Sequence, residues 1–246
     1  MKSEEKIYGL HSVIEAIKSG TTIDKLYIQK GLRGDTFLEL QRLISESHLN
    51  VSYVPIEKLN RLTRKNHQGV VAQISPIDFM PLEELVIQAM ESGNPPLFLL
   101  LDQLSDVRNF GAIIRTAECA GVSGIIIQKK GGAPVTADTV KTSAGAIFKV
   151  PICKVDHIKD AVYYLQASGI QVVAATEKSD EMLYDVDFKL STGIIMGSEG
   201  KGINPSVLKA VDKAVKLPML GTISSLNVSV ACGMFLYETM RQRLLP

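Results

Sequence analysis

The sequence predicts an α/β protein in which a small N-terminal α/β domain precedes a larger C-terminal domain built on a parallel sheet. Three observations predict this class. From residue 97 onward, short strands that are apolar throughout alternate with helical patterns, as in a parallel sheet covered on both faces. Residues 1–76 show a shorter alternation of the same kind, and four prolines between residues 76 and 96 separate the two parts.

The N-terminal domain, residues 1–76, is predicted to alternate helices and strands. Apolar residues from Leu10 to Ile17 have the spacing of an amphipathic helix, and Gly20 marks its end. The other elements follow in order as a strand at 23–29, a helix at 37–48, a strand at 51–55, a short helix, and a strand at 69–75. Together they form a small α/β module with its own core.

Residues 77–95 are predicted to be a linker, because they hold four acidic residues and no basic one around a single short helical pattern. The second domain then spans 96–246. Its predicted elements are strands at 97–102, 124–128, 150–155, 170–176 and 192–197, helices at 110–121, 136–146 and 158–169, and a long last helix from residue 226. Ligands of such sheets bind beyond the carboxyl ends of the strands, where we expect the site.

Composition limits the classes of protein that fit. The chain has 246 residues, 46% of them hydrophobic, and a net charge of +1, so a sizeable core is possible and the total charge indicates no nucleic-acid partner. Cys119, Cys153 and Cys232 are widely spaced, which argues against a disulfide framework or a zinc site. The sequence shows no signal-peptide or membrane-spanning pattern, and we expect a cytoplasmic protein with no membrane partner.

Basic residues cluster in the N-terminal domain within the stretch RLTRKNHQG. This cluster is either a solvated loop face or a contact surface for nucleic acid, and the pattern alone leaves both open. The residues concerned are Arg61, Arg64, Lys65, Asn66, His67 and Gln68.

The stretch IIMGSEGKGI, residues 194–203, places a glycine-rich loop directly after an apolar strand. It does not fit a phosphate-binding loop, because only two residues separate the first glycine from the Gly-Lys pair and no Ser or Thr follows. A dinucleotide fingerprint also fails, and Glu199 would repel a pyrophosphate. The loop instead suits a neutral or cationic ligand that approaches the backbone closely. Asn204 and Pro205 are predicted to cap and begin the next helix.

A second stretch, residues 101–122, joins the first strand of the C-terminal domain to its first helix. Apolar residues from Phe110 to Ala117 mark the buried face of that helix, and Arg115 lies off it. Asn109 falls in the first turn or at the cap. Six residues rotate through roughly 240°, so Asn109 and Arg115 do not share a helix face, although both could contact one extended substrate. The planar donor fork of arginine suits a phosphate or a ribose oxygen.

A third stretch, residues 217–243, leads into the last helix. The run from Leu226 to Tyr237 is almost wholly apolar or small, so the helix is predicted to be buried on most sides. Ser224 or Ser225 is the expected N-cap. Asn227 would then lie inside the first turn of a buried helix, where it needs a partner from another loop or from a ligand.

These three stretches, in this order and spacing, resemble the three motifs of the SpoU (TrmH-type) ribose 2′-O-methyltransferases of the SPOUT superfamily. The N-terminal stretches YGLHSVIEAI and NHQGVVAQ resemble the ribosomal-protein-L30e-like RNA-binding domain that members of this family carry. The resemblance covers essentially the whole chain. It is strongest to the enzymes that methylate a guanosine ribose in 23S ribosomal RNA, and relatives that act on transfer RNA share the catalytic half.

The resemblance implies a deep trefoil knot in the C-terminal domain, a homodimer, S-adenosylmethionine as cofactor and no metal. It places the cofactor against Thr176, Ile195, Gly197, Leu217 and Leu226. It assigns the catalytic site to Asn109, Arg115, Glu199, Ser225 and Asn227, and RNA contact to the basic cluster at 61–68. Glu199 is expected to hold Arg115 or Asn109. Because a guanidinium stays protonated, we expect Arg115 to hold the substrate phosphate and the 2′-oxygen rather than act as base.

Two other classes of protein compete with this interpretation. A catalytically idle RNA-binding or ribosome-assembly factor could keep the fold, but it would have no need for Asn109, Arg115, Glu199 and Asn227. A nicotinamide oxidoreductase on a Rossmann sheet would need the glycine fingerprint that the loop lacks. Within the methyltransferase interpretation, a transfer RNA substrate remains the alternative to ribosomal RNA.

Overall fold

A computed structural model describes residues 6–47, 49–223 and 225–244, and the chain forms two compact units. The first unit is Met1–Asp78 with Val135–Ala137, and the second is Phe79–Pro134 with Asp138–Pro246. The division of function between a substrate domain at 1–76 and a catalytic domain at 96–246 stays a prediction.

The first unit contains a four-stranded mixed sheet in the order β1-β4-β2-β3. Strand β4 runs antiparallel to β1 and β2, whereas β3 runs parallel to β2. Apolar side chains of both helices that flank β2 pack on one face of the sheet, and Leu59 packs on the other. The elements are β1 Lys6–Tyr8, α1 Leu10–Lys18, β2 Ile23–Gln29, α2 Asp35–Glu46, β3 Val51–Val54, α3 Ile56–Leu62 and β4 Val70–Ile74.

The second unit is built on a six-stranded sheet in the order β10-β8-β9-β5-β6-β7, and every pair of neighbouring strands is parallel. All six residues of β5 are buried, as expected for a strand covered on both faces. The elements are α4 Leu82–Glu91, β5 Leu97–Asp102, α5 Val107–Cys119, β6 Gly124–Gln128, α6 Ala137–Thr142, β7 Ile152–Val155, α7 Ile158–Ala167, β8 Gln171–Ala175, β9 Thr192–Gly197, α8 Pro205–Leu208, β10 Lys213–Val215 and α9 Val228–Leu244.

Two predicted segments differ from the structure. The helix predicted at 136–146 ends at Thr142, because Ala144 and Gly145 take positive φ angles of 50° and 81° that no α-helix accommodates. The segment 77–95, predicted to be a linker, belongs from Phe79 onward to the second unit. Helix α4 buries its apolar side there, with Leu85 and Val86 in the same core cluster as the strands of the sheet.

Helix α9 is less buried than predicted. It begins at Val228 rather than at Leu226, and it packs against α5 and β9 through residues that include Cys232 and Phe235. Its other side is open in the single chain, where Val230, Met234 and Tyr237 are 53%, 42% and 54% exposed. The prediction of a helix buried on most sides is therefore wrong for one chain alone. No helix within the described residues is long and apolar enough to cross a membrane.

The C-terminal end of α9 is held by one arginine that binds two other segments of the second unit. The Arg243 guanidinium donates hydrogen bonds to the carbonyl oxygens of Phe188 (2.9 Å), Leu190 (2.8 Å) and Pro95 (2.6 Å). Burial lowers the pKa of Arg243 from its ordinary value, yet a guanidinium remains charged at neutral pH. The fork therefore ties the last helix to the entrances of β5 and β9.

We expect Arg243→Met to reduce the free energy of unfolding by about 2–3 kcal/mol, since several carbonyl oxygens lose a charged donor together. Arg243→Lys should recover only part of this loss, because an ammonium group lacks the planar fork. Urea unfolding followed by circular dichroism measures both. Lys209→Met is the control, because Lys209 is exposed and makes no side-chain bond within the described residues. Equal stability of the Arg243→Met and Lys209→Met variants would contradict the prediction.

Candidate active site

A cavity of about 600 Å³ lies at the carboxyl end of the parallel sheet in the second unit. Its walls come from the segments that follow β8, β9 and β10 and from the first turns of α9, as expected for the ligand site of an open parallel sheet. The lining residues are Ala175 to Lys178, Met196 to Gly202, Val215 to Leu217, Met219, Ser225 to Val228, Ala231 and Phe235.

The wall after β9 is a tightly folded glycine loop. Ser198 and Gly202 exchange two backbone hydrogen bonds of 3.2 and 2.9 Å, and Gly200 and Gly202 take φ angles of 84° and 69°. A Cβ added to Gly197 would lie 2.6 Å from the Gly202 carbonyl oxygen and would overlap the backbone beyond it. Gly197 is therefore required by close backbone approach, and the other two glycines by the left-handed turn.

The exit of this loop is fixed to the neighbouring strand by a buried carboxylate. Asp102, the last residue of β5, is fully buried and accepts a hydrogen bond from the Asn204 backbone N–H at 2.6 Å. Burial raises the pKa of this carboxyl above its ordinary value. Asn204 in turn caps α8 by accepting from the Ser206 N–H, and Pro205 is its first residue, so that prediction is confirmed. Asp102 was not predicted as a site residue, although one acid ends a wholly apolar strand in the sequence.

Three polar side chains from distant parts of the sequence meet at the cavity. The Asn109 amide donates to Glu199 Oε1 at 3.0 Å. The Asn227 amide donates to the same carboxylate oxygen at 2.7 Å and to Asn109 Oδ1 at 3.0 Å. We call these residues the Asn-Glu-Asn cluster. Asn109 is free to join it because Asp106, not Asn109, caps α5 by accepting the Asn109 N–H.

Asn227 also determines where α9 begins. Its Oδ1 accepts hydrogen bonds from the backbone N–H groups of Ser229 (3.0 Å) and Val230 (3.4 Å), which is the geometry of an N-cap. The expectation that Ser225 caps the helix is therefore wrong, and Ser224 lies outside the described residues. Ser225 lines the cavity instead. Asn227 thus caps the helix with its side-chain oxygen and donates to the other two members of the Asn-Glu-Asn cluster with its nitrogen.

Arg115 stands apart from the Asn-Glu-Asn cluster. It is exposed on α5 and makes no hydrogen bond or ion pair within the part of the chain that the structure describes. Of the two partners expected for Glu199, the structure brings Asn109 into contact and leaves Arg115 free. This agrees with the helical rotation that separates the two residues on α5. The guanidinium donors of Arg115 are available to a ligand.

Four of the five predicted cofactor residues line the cavity, namely Thr176, Gly197, Leu217 and Leu226. Ile195 does not line it, because it is fully buried in the core of the sheet and alternate residues of a strand face opposite sides. Its neighbour Met196 lines the cavity in its place, which strand alternation could have indicated. With Phe235 and Val215, Met196 gives the cavity an apolar part in addition to the glycine loop. The described residues contain no His, Cys, Asp and Glu cluster able to hold a metal.

The predicted RNA-contact residues lie in the first unit, around a groove of about 550 Å³. Five of them line it: Arg64, Lys65, Asn66, His67 and Gln68. Arg61 does not line the groove and is exposed on α3. His67 is buried, and both its ring nitrogens are occupied by Asn60 Oδ1 and by the Gly69 N–H. His67 therefore supports the loop from within, and direct RNA contact by His67 stays a prediction.

Two family models match the chain. Residues 96–237 match the SpoU rRNA methylase family, and residues 6–80 match a family described as RNA 2′-O ribose methyltransferase substrate binding. Among the relatives, a Bacillus subtilis (strain 168) protein named as a TrmH family tRNA/rRNA methyltransferase is 34% identical over 98% of this chain and 97% of its own length.

Solved structures give the same result. The SpoU methyltransferase AviRb from Streptomyces viridochromogenes, in complex with AdoMet, has a TM-score of 0.62 at 25% identity over 98% of this chain and 91% of its own. An AdoMet-bound rRNA methyltransferase from Sinorhizobium meliloti has a TM-score of 0.60 at 27% identity over 98% and 88%. A TrmH/SpoU tRNA modifying enzyme from A. aeolicus has a TM-score of 0.55 at 30% identity over 66% and 84%.

Proposed function

The chain belongs to the SpoU family of S-adenosylmethionine-dependent RNA methyltransferases, and we propose that it methylates the ribose 2′-hydroxyl of a guanosine in 23S ribosomal RNA, in the cytoplasm. The observation that carries this proposal is the Asn-Glu-Asn cluster at the cavity mouth, since a protein that only binds RNA would not need these three side chains assembled there. The second domain match, to a ribose methyltransferase substrate-binding family, supports ribose as the acceptor.

The cavity fits S-adenosylmethionine by its shape and its chemistry. Its volume of about 600 Å³ suits a small cofactor. Apolar side chains line the cavity together with the glycine loop, while the carboxylate of Glu199 favours a cation. When bound, this cofactor supplies a methyl group carried on a positively charged sulfur. We propose that Thr176, Gly197, Leu217 and Leu226 hold it.

Methyl transfer to a hydroxyl requires in-line placement of the reacting atoms at about 3 Å and removal of one proton. In this proposal the Asn-Glu-Asn cluster orients the ribose, with Glu199 holding both asparagine amides, and Ser225 shapes the loop beside it. Arg115 binds the adjacent phosphate and the 2′-oxygen, because its donors are free and its guanidinium cannot accept a proton. The proton would leave through the phosphate or through water.

Arg115→Lys is expected to lower kcat for methyl transfer by about tenfold or more and to leave the affinity for S-adenosylmethionine unchanged. The reason is that a lysine supplies a point charge without the bidentate fork that aligns phosphate and ribose, and such charged hydrogen bonds contribute about 1.5–3 kcal/mol each. Steady-state kinetics with labelled cofactor and calorimetry of cofactor binding measure the two quantities. Full turnover by Arg115→Lys would refute the role assigned to this arginine.

The choice between ribosomal and transfer RNA rests on the first unit. The two AdoMet-bound structures each match 98% of this chain, and one of them, from S. meliloti, is named an rRNA methyltransferase. The A. aeolicus tRNA modifying enzyme matches only 66% of this chain. An additional substrate-binding unit with Arg61, Arg64, Lys65, Asn66 and Gln68 on its surface suits a large folded RNA. Transfer RNA is the second candidate, because the relatives are named tRNA/rRNA methyltransferases.

The test of the proposed function is methyl transfer from labelled S-adenosylmethionine to unmodified 23S ribosomal RNA and to unmodified transfer RNA, followed by mapping of the ribose methyl groups. We expect one methylated guanosine ribose in 23S RNA. Methylation of transfer RNA alone would select the second candidate, and absence of transfer to either RNA would favour a ribosome-assembly factor without activity.

We also propose a trefoil knot in the second unit. The connection between β8 and β9 contacts the chain both before and at the end of α9. Lys216 exchanges backbone hydrogen bonds with Glu181 and Leu183, and Gln242 bonds to the backbone of Val186 and Phe188. These contacts support a path in which the C-terminal segment of the chain is threaded through a loop formed by the β8–β9 connection. Such threaded topologies are rare among proteins.

A homodimer is proposed from the open side of α9. Val230, Met234 and Tyr237 form an apolar face, and Leu220 before the helix is fully exposed. Apolar surface of this kind on a helix marks an interaction site. We expect light scattering after gel filtration to give twice the chain mass of 26.8 kDa, and Met234→Glu to lower it toward a single chain. A single-chain mass for the unmodified protein would contradict the dimer.

A further inference from the structure

The groove of the first unit is bordered by a rigid, pre-formed loop. Gln68 has a φ of 48° and Gly69 a φ of 79°. A glutamine in the left-handed region is uncommon and persists only where the surrounding contacts hold it. His67 supplies such contacts from inside the loop. The side chains that line the groove are therefore presented in defined positions before any ligand arrives.

One backbone donor fixes the tautomer of the neutral His67 ring. The Gly69 N–H donates to His67 Nδ1 at 3.0 Å, so Nδ1 carries no proton. In the neutral ring the proton is then on Nε2, which must donate to Asn60 at 2.9 Å. Asn60 therefore faces His67 with its Oδ1, and the NH₂ group of Asn60 takes no part in this hydrogen bond.

Gln68 has its amide oriented in the same way. The Leu10 backbone N–H donates to Gln68 Oε1 at 3.2 Å, and a backbone N–H cannot accept, so the oxygen must face it. Neither the Asn60 nor the Gln68 NH₂ group has a partner within the described residues. Both residues line the groove, together with the cationic side chains of Arg64 and Lys65. The groove thus offers two unpartnered amide NH₂ groups next to positive charge.

We propose that this groove binds one unpaired uridine or guanosine of the RNA, with a keto oxygen of the base accepting from the Asn60 and Gln68 amides and a phosphate next to Arg64 and Lys65. This inference depends on the proposed function in one respect, namely that the ligand is RNA. Uracil and guanine carry carbonyl oxygens where cytosine and adenine carry amino groups, which would meet the NH₂ groups donor to donor. A base inside a duplex cannot enter a concave groove, so the nucleotide is unpaired.

The test is fluorescence anisotropy of the full chain with labelled eight-nucleotide RNAs, one of uridines and one of cytidines, and with a labelled RNA duplex. These two pyrimidines have the same size and differ chiefly in the keto or amino group at C4. We expect the uridine RNA to bind roughly tenfold more tightly than the cytidine RNA, as one mismatched polar contact predicts, and the duplex more weakly than the uridine RNA.

Gln68→Glu tests the amide directly. Glutamate keeps an oxygen for the Leu10 N–H and replaces the NH₂ group by a second oxygen, so the ratio of uridine to cytidine affinity should fall toward one. The added negative charge weakens the binding of both RNAs alike, so its effect cancels in the ratio of the two affinities. Gln41→Glu, the same change on the exposed surface of α2, should keep the ratio. Asn60→Asp is a second variant of the same design, and thermal unfolding shows which variants are folded.

Equal affinity for the two single strands would overturn the inference, as would tighter binding of the duplex or an unchanged ratio in both Gln68→Glu and Asn60→Asp. The binding measurement needs no cofactor and is independent of methyl transfer. Methyl transfer to ribosomal RNA without base preference would refute only this inference. Base preference without methyl transfer to any RNA would refute only the proposed function.

Discussion

Gly197→Ala is expected to weaken S-adenosylmethionine binding by about a hundredfold or more. The added Cβ would lie 2.6 Å from the Gly202 carbonyl oxygen and closer still to backbone atoms that cannot rotate away. The loop from Gly197 to Gly202 forms a wall of the cavity, so it must shift by a large fraction of an ångström. Overpacking of this kind costs about 1–3 kcal/mol, and displacement of the wall removes cofactor contacts in addition. Calorimetry of cofactor binding measures the loss.

The matched control is Gly221→Ala. Gly221 is exposed, it does not line the cavity, and a Cβ placed there meets no atom within 4 Å. We expect this variant to bind the cofactor and to unfold as the unmodified chain does. Gly197→Ala should unfold several degrees lower, because of its overpacking, and the binding measurement is made well below that temperature. Unchanged affinity in Gly197→Ala would show that the glycine loop is not a wall of the cofactor site.

The strands were predicted well where burial on both faces leaves a plain apolar signal. The predicted bounds 97–102, 124–128 and 192–197 are those of β5, β6 and β9. Strands β1 and β10 have three residues each, and an apolar run of that length cannot be told from a turn. Helix α8, with four residues, is too short for periodicity, although its cap residue Asn204 was predicted correctly.

The sequence indicates which residues belong to the candidate site, but it does not indicate how they are arranged in space. Sequence position places Asn109, Glu199 and Asn227 near the ends of elements at one edge of the sheet, but the hydrogen bonds among them depend on tertiary packing. The same limit explains His67, whose burial depends on contacts with Asn60 and Gly69 that a linear pattern does not contain. Asp102 was missed because a terminal acid also suits a strand that simply ends at the surface.

Asn227→Asp is expected to lower kcat/KM for methyl transfer by about a hundredfold, comparable to the loss of one pre-organised donor at a reaction centre. Aspartate caps a helix as well as asparagine does, so α9 should still begin at Val228. The NH₂ group that now bridges Glu199 and Asn109 becomes an oxygen, and two carboxylates about 2.7 Å apart repel each other. Single-turnover transfer of a labelled methyl group, with circular dichroism of the same samples, separates loss of activity from loss of fold.

Pairing this change with Glu199→Gln tests the interaction itself. The double variant exchanges acid and amide across the same hydrogen bond. The amide introduced by Glu199→Gln can donate to the new carboxylate, and the Asn109 amide can turn over, so that it donates to residue 227 and accepts from residue 199. All three hydrogen bonds of the cluster then form with their directions reversed, without two carboxylates in contact. If the Asn-Glu-Asn cluster acts by its geometry, the double variant should be about tenfold more active than Asn227→Asp alone, as coupled neighbours require. Should Asn227→Asp remain fully active, or the double variant lose as much as the two single changes added together, the three side chains do not act as one unit and the ribose must be oriented elsewhere.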